Sequence, residues 1–172
     1  MQVSQSVDID IECRPEEAYD FVTSLESPAK TFSGYGPIPA VLETTIDGDG
    51  PLREGTILRA RSSDGSVMKR TITILDRARR HEYVIDGNGF RPLFRRMVRR
   101  GTGIWLFEAR GDKTRLTWTY RFDLRSIFWW LAVVLLVRIF FGAAMRRCVL
   151  ATKRELEQTS SSTELLPRVA TG

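Results

Sequence analysis

The side chains in this sequence that could do chemistry are few and scattered. His81 is the only histidine, so a cluster of histidines around a metal is excluded, and a catalytic triad built on it would draw its partners from distant residues. A place at the start of a strand is its simpler role. Cys13 and Cys148 have neither the spacing of a zinc site nor a disulfide framework around them, and both fall on apolar faces where a thiol is inert. Asp47-Gly48-Asp49-Gly50 has the opening of a calcium loop without its later ligands or closing glutamate, and reads as a turn. No glycine-rich phosphate loop, nucleophile elbow or pair of catalytic carboxylates can be placed. Neither a metal nor a cofactor is expected.

Arg70 and the stretch from Phe90 to Arg100 stand apart from this background. Alternation turns Arg70 to the same side of a strand as Met68, Ile72 and Ile74. There a guanidinium could hold a carboxylate or phosphate head group; near a sheet edge it would instead snorkel to water. Further on, Phe90, Leu93, Phe94, Met97 and Val98 fall at helical spacing, while Arg91, Arg95, Arg96, Arg99 and Arg100 take the other face. Such a basic amphipathic segment suits a membrane surface or an acidic partner. The alternative is a loop whose apolar residues cap the core while its arginines are solvated.

The elements that must position these groups begin with an alternating strand, Val3 to Cys13, followed by a helix opened by Pro15, with Glu16 and Glu17 in its first turn. After Ser27-Pro28 a Gly- and Pro-rich segment allows only a turn or two of helix around Lys30 to Ser33. Strands are then expected at Val41 to Ile46, Thr56 to Arg61, Val67 to Leu75, His81 to Asp86, Gly103 to Arg110 and Thr114 to Phe122. The last of these is the clearest, with Leu116, Trp118, Tyr120 and Phe122 alternating with polar residues.

A long helix from Ser126 to Glu157 closes the chain. Its steps of three and four give an apolar stripe of Trp130, Val134, Val137, Phe141, Ala144, Cys148 and Ala151. The first half is apolar on its far side too, through Phe128, Trp129, Leu131, Leu135 and Leu136, which one sheet cannot cover together with the stripe. The run from Ile127 to Met145 nearly has the length of a membrane span. Its Leu, Ile, Phe and Val residues favour insertion by about 0.3–0.6 kcal/mol each, and Arg138 near the centre takes back about 2.5–3.5 kcal/mol. Packing on the sheet, lying on a membrane and spanning it all stay open.

At 172 residues, with 42% hydrophobic and 27% charged content, one domain over 1–157 is the simplest organisation, with 158–172 as a disordered tail. The start, Met1-Gln2-Val3-Ser4-Gln5, has no charged segment leading into an apolar one, so a cytosolic start is expected, peripheral on or anchored in the membrane if the apolar run is used that way. The net charge of +5 favours anionic partners. Nucleic acid is not expected: the arginines are interleaved with apolar residues and no outward aromatic platform is present.

This order of elements resembles the START-like, or SRPBCC, superfamily, in particular its polyketide cyclase/dehydrase and lipid-transport families. The resemblance rests on Arg14-Pro15-Glu16-Glu17-Ala18-Tyr19-Asp20-Phe21-Val22 and on the run from Gly101-Thr102-Gly103-Ile104-Trp105 through Gly111-Asp112-Lys113-Thr114-Arg115-Leu116-Thr117-Trp118. It implies an α+β helix-grip fold, in which an antiparallel, about seven-stranded curved sheet wraps around the long C-terminal helix. It also implies an apolar cavity between them. Strand parity nominates Leu58, Met68, Arg70, Ile72 and Ile74 for its wall, with Tyr83, Trp105, Phe107, Trp118 and Tyr120; the helix would add Trp130, Val134, Val137 and Phe141. The same residues would equally fill a solid core.

The expected function is binding of an apolar small molecule or lipid. A cyclase- or dehydrase-like enzyme is the alternative, as is an interaction protein that pairs through the apolar face of the last helix, for example as a homodimer. A plain meander would bring the Asn88 to Arg100 connection to the same end as the Asp123 to Phe128 junction. Phe90, Phe94, Arg95, Arg96, Arg99, Arg100, Phe128 and Trp129 would then form one face for docking on an anionic membrane.

Overall fold

The computed structural model describes residues 1–87 and 90–164, with side chains through Thr159. Strand β1 (Gln2–Ile11) leads into helices α1 (Pro15–Thr23) and α2 (Ser27–Thr31). There follow β2 (Val41–Ile46), β3 (Ile57–Ser62), β4 (Val67–Asp76) and β5 (Arg80–Asp86). A short helix α3 (Pro92–Met97) precedes the two long strands β6 (Val98–Arg110) and β7 (Lys113–Leu124). These strands make one seven-stranded sheet of order β1-β7-β6-β5-β4-β3-β2, antiparallel at every pairing. Only β1 leaves the sequential meander, pairing with β7 from Gln2↔Asp123 to Ile11↔Thr114. The architecture is the α+β helix-grip fold.

The last helix is continuous but not uniform. Ser126 caps a 3-10 turn (Ile127–Trp129) by accepting from the Phe128 N–H. Helix α4 (Trp130–Leu136) follows, then a π-helical turn (Val137–Phe141), then α5 (Gly142–Glu164). Helix α5 lies on the sheet through Met145, Cys148, Val149, Thr152 and Leu156, all buried. Its far end is tied to the end of β1, where Lys153 donates to the Asp10 carbonyl at 2.9 Å and Glu157 accepts from the Glu12 N–H at 3.2 Å. The helix is described as far as Glu164, and 165–172, the greater part of the tail expected over 158–172, lie outside the described residues.

Three expectations from the sequence need correction. Strand β6 starts at Val98 rather than Gly103, because Val98 pairs with Leu124 and Arg100 with Asp123 across a bulge. Only Pro92–Met97 is therefore helical, and Arg99 and Arg100 belong to a strand. In β4 a bulge between Ile72 and Ile74 shifts the register, so that Ile72 opposes Tyr83 but Ile74 opposes the outward Glu82. A bulge adds one residue to one strand and resets its alternation; Leu75 packs on the core in place of Ile74. In the last helix Val133 is fully buried, whereas Trp130 is 41% exposed. The π turn adds a residue to the helical repeat and rotates the buried face of α4 away from the stripe drawn for a straight α-helix.

Glycines in β6 make the aromatic interior possible. Gly103 lies opposite Tyr83 on one side and Tyr120 on the other. The two rings meet edge to face over it, with centroids 6.2 Å apart. A Cβ at Gly103 would stand 2.3 Å from Tyr83 Cζ. Gly103→Ala should lower stability by about 1–3 kcal/mol, the usual cost of overpacking. Denaturant unfolding of the two proteins measures it, and unchanged stability would show that Tyr83 has room to move.

Candidate functional site

Between the sheet and α5 the interior is not filled. A cavity of ≈ 110 Å³ opens between α2 and strands β3 to β7. Its back wall is aromatic: Trp105 and Trp118 stack at 4.5 Å and 7°, and Phe141 meets Tyr120 edge to face at 4.9 Å. Phe141 belongs to the π turn, so the irregular part of the last helix supplies a wall of the cavity. The opposite side is closed by Ser27, Pro28, Thr31 and Phe32 of α2 and its C-cap, with Cys148 and Thr152 of α5. The two helices touch there, with Cys148 Sγ 3.5 Å from Thr31 Oγ1.

Polar groups collect on the side formed by β4 and β5. Arg70, half-buried, lies with its guanidinium carbon 5.3 Å from the centre of the Tyr83 ring. Its Nη2 donates to Thr44 Oγ1 at 3.2 Å, while its Nε has no partner. It forms no ion pair among the described residues, and no aspartate or glutamate lines the cavity. The Trp118 Nε1 and His81 Nδ1, both buried, are also without partners. Of the four buried side-chain polar atoms left unpaired among the described residues, three therefore belong to cavity residues. An unpaired buried polar atom costs about 1–3 kcal/mol, so these groups form the polar side of the cavity, able to donate to or accept from whatever enters it.

Burial sets the protonation of these groups. His81 is held neutral, its pKa lowered to about 4 by burial and then by the charge of Arg70, against a backbone hydrogen bond to Ile74 that acts the other way. Burial raises the Tyr83 and Tyr120 hydroxyls, so both stay protonated. It also pushes the Cys148 thiol up to about 11, as it does for Cys13 outside the cavity. At neutral pH the cavity thus offers a guanidinium cation, a neutral imidazole with a bare nitrogen acceptor, and two phenols. Among the described residues no three His, Cys, Asp or Glu side chains come together as metal ligands.

Of the wall residues nominated from the sequence, Met68, Arg70, Tyr83, Trp105, Trp118, Tyr120 and Phe141 line the cavity. Leu58 and Ile72 border a smaller void of ≈ 20 Å³ on the other side of Arg70. Phe107 is taken up by Tyr19, with ring centroids 5.3 Å apart. Val137 is buried in the core, Val134 is half-buried against it, and Trp130 and Ile74 face elsewhere. Sequence reasoning missed His81, although Tyr83 and Ile85 share its parity and were placed inward. It expected the short second helix a few residues late, around Lys30 to Ser33 rather than Ser27–Thr31, and did not place its residues on the cavity wall, because the Gly- and Pro-rich surroundings carry no period to read.

The docking residues split as well. Phe90 and Phe94 turn inward and pack on Phe122, at 6.4 and 5.5 Å, so they cap the core. Arg95, Arg96, Arg99 and Arg100 are exposed. The ends do converge: Arg125 donates from its backbone to the Met97 carbonyl and from Nε to the Arg95 carbonyl, both at 2.9 Å, and Arg91 pairs with Asp64 at 3.1 Å. Beside these arginines stand Leu93, 66% exposed, and Phe128, 91% exposed. Ile127, Trp129, Leu131 and Leu135 continue the uncovered apolar surface along the helix. Ile127–Thr159 is long and apolar enough to cross a membrane by length and composition, and only 22% of its most apolar stretch is buried.

The fold has counterparts among known proteins. The model of the family described as polyketide cyclase/dehydrase and lipid transport matches residues 2–157. No curated protein matches the sequence at a significant level. Among solved structures, norcoclaurine synthase of Thalictrum flavum superposes with a TM-score of 0.68 at 10% identity, over 93% of this chain and 97% of that one. The di-domain aromatase/cyclase StfQ of the steffimycin biosynthetic pathway gives 0.70 at 12% identity, over 94% of this chain and 53% of that one, so the chain spans about half of it. TTHA0849 of Thermus thermophilus gives 0.64 at 14%, over 92% and 99%. At these identities the likeness is one of fold.

The burial of His81 has a consequence for stability. Folded His81 takes up a proton only near pH 4, whereas in the unfolded chain an ordinary histidine does so near 6.5. Between those values the unfolded state binds more protons, so stability rises with pH across the window and is fully present above it. The effect is on the order of 3 kcal/mol at most. Urea unfolding from pH 4 to 7 should show this slope, and His81→Gln should flatten it. An equal slope in both proteins would mean that carboxylates alone carry the acid sensitivity.

Proposed function

As the chain belongs to the polyketide cyclase/dehydrase and lipid-transport family, we propose that it binds an apolar small molecule between sheet and last helix, and does so while resting on an anionic membrane. The observation that carries the membrane part is the apolar surface of Ile127, Phe128, Leu131 and Leu135, uncovered beside Arg95, Arg96, Arg99 and Arg100. A contiguous exposed apolar face marks an interaction site. Each arginine near an anionic surface adds about 1 kcal/mol, and the apolar start of the helix supplies burial in the headgroup region. The cavity reaches Ala60, Met68 and Ile85, which stand next to the strand ends carrying this surface, so docking brings the cavity toward the bilayer. The localisation that follows is the cytoplasmic face of a membrane.

A cyclase- or dehydrase-like reaction is the second reading, favoured by a neutral imidazole and two phenols facing one cavity. A general acid or base needs such a group within hydrogen-bond reach of the reacting atom. Recovery of bound ligand unchanged after long incubation separates binding from turnover.

Flotation with vesicles of neutral and of anionic lipid tests the docking. Wild type should float with anionic vesicles, and a variant with Arg95, Arg96, Arg99 and Arg100 changed to Ser should lose most of that attachment, as should wild type in high salt. Equal flotation of both proteins on both lipids would defeat the electrostatic part. Extraction by detergent alone would assign the helix to a span, and dimers that persist on dilution would assign its face to a second copy.

A further inference from the structure

Among the described residues the cavity contains a cation without a counter-ion. Arg70 reaches it from β4 with an unpaired Nε, a neutral threonine as its hydrogen-bond partner and an aromatic face beside it. The walls supply no carboxylate. A half-buried cation beside largely apolar walls gains from a counter-ion, and its charge acts on His81, Tyr83, Tyr120 and Cys148. Close by, Trp118, buried to 4% exposure, has an indole N–H that makes no well-formed hydrogen bond and has the Tyr83 hydroxyl as its polar neighbour. Tyr83 has both the Arg70 guanidinium and the Trp118 indole beside its hydroxyl, so the two donors belong to one locale.

We infer that the ligand of this cavity is a small monocarboxylic acid, its carboxylate held by Arg70 with Trp118 as a further donor and its apolar body against the stacked tryptophans. The inference rests on the cavity being a binding site and adds the chemical class of its occupant. Charge selects an anion, and the guanidinium fork fits a planar carboxylate in two-point contact. A phosphate monoester fits less well: a second negative charge would enter an apolar cavity that supplies one cation. Size selects the body. A cavity of about 150 Å³ accepts benzene, so ≈ 110 Å³ limits the body to a single ring or a short branched chain at most, and anything longer enters only if α2 or the π turn gives way.

Calorimetry on the full chain, without vesicles, tests this with benzoate, its neutral counterpart benzamide, and phenyl phosphate. Wild type should bind benzoate at least tenfold tighter than benzamide and phenyl phosphate. Arg70→Gln should bind benzoate and benzamide alike, and Arg70→Lys should keep part of the preference, circular dichroism confirming the fold of each. Equal binding of benzoate and benzamide by wild type overturns the inference while leaving the cavity as a binding site, and so does a preference that survives Arg70→Gln. Tighter binding of phenyl phosphate replaces the carboxylate with a phosphate. No heat from any of the three overturns the inference and the cavity-binding reading together. Should Arg70→Gln fail to fold, the wild-type preference and Arg70→Lys still decide.

Discussion

The molecule depends on one packing contact, between α5 and the sheet it crosses. A sheet with one apolar face must bury it against another element, and α5 meets that demand with Met145, Val149 and Leu156 against residues such as Val7, Ile11 and Leu116. The helix, however, is longer and more apolar than this requires. Its second half has an apolar and a charged face in the ordinary way, whereas α4 buries only Val133 completely and leaves Leu131 and Leu135 outside. Area removed from water stabilises the fold by about 25 cal/mol per Å², so α4 contributes little to it. Its composition answers to something other than folding.

The junction between these two regimes is the π-helical turn. Val137, at its start, is wholly buried, and Phe141, at its end, lines the cavity and contacts Tyr120 and Phe122. Any shift of α4 against the body therefore passes through a residue of the cavity wall. Single π turns are frequent at functional sites. Here the irregularity sits between the uncovered apolar surface of α4 and the cavity, while α5 beyond it is anchored to β1 through Lys153 and Glu157.

Much of this was legible in the sequence, and the gaps have physical causes. Strict alternation from Thr114 to Phe122 fixed β7 and its inward aromatics, and the apolar run after Ser126 fixed the last helix and its uncovered face. Ile74 was misplaced because one bulge in β4 resets a period of two, and Trp130 because one π turn resets a period of 3.6. Neither irregularity has a residue signature. Arg70 stood out by parity, but the sequence left it open whether it faces the cavity or the water; Thr44 and Tyr83, from two other strands, define its surroundings. His81 was open to the same parity argument as Tyr83. Phe90 and Phe94 have the spacing of a surface helix, and only the position of Phe122 reveals that they cap the core.

The central claim is that α5 holds the fold while α4 is kept free for an anionic membrane. Amide hydrogen exchange, with and without anionic vesicles, reads the two halves of one helix separately. In solution the account predicts slow exchange in α5 and fast exchange in α4. On vesicles α4 and the neighbouring α3 should gain protection while the central strands stay as they were. Strong protection of α4 in solution, or no gain on vesicles, would contradict the account.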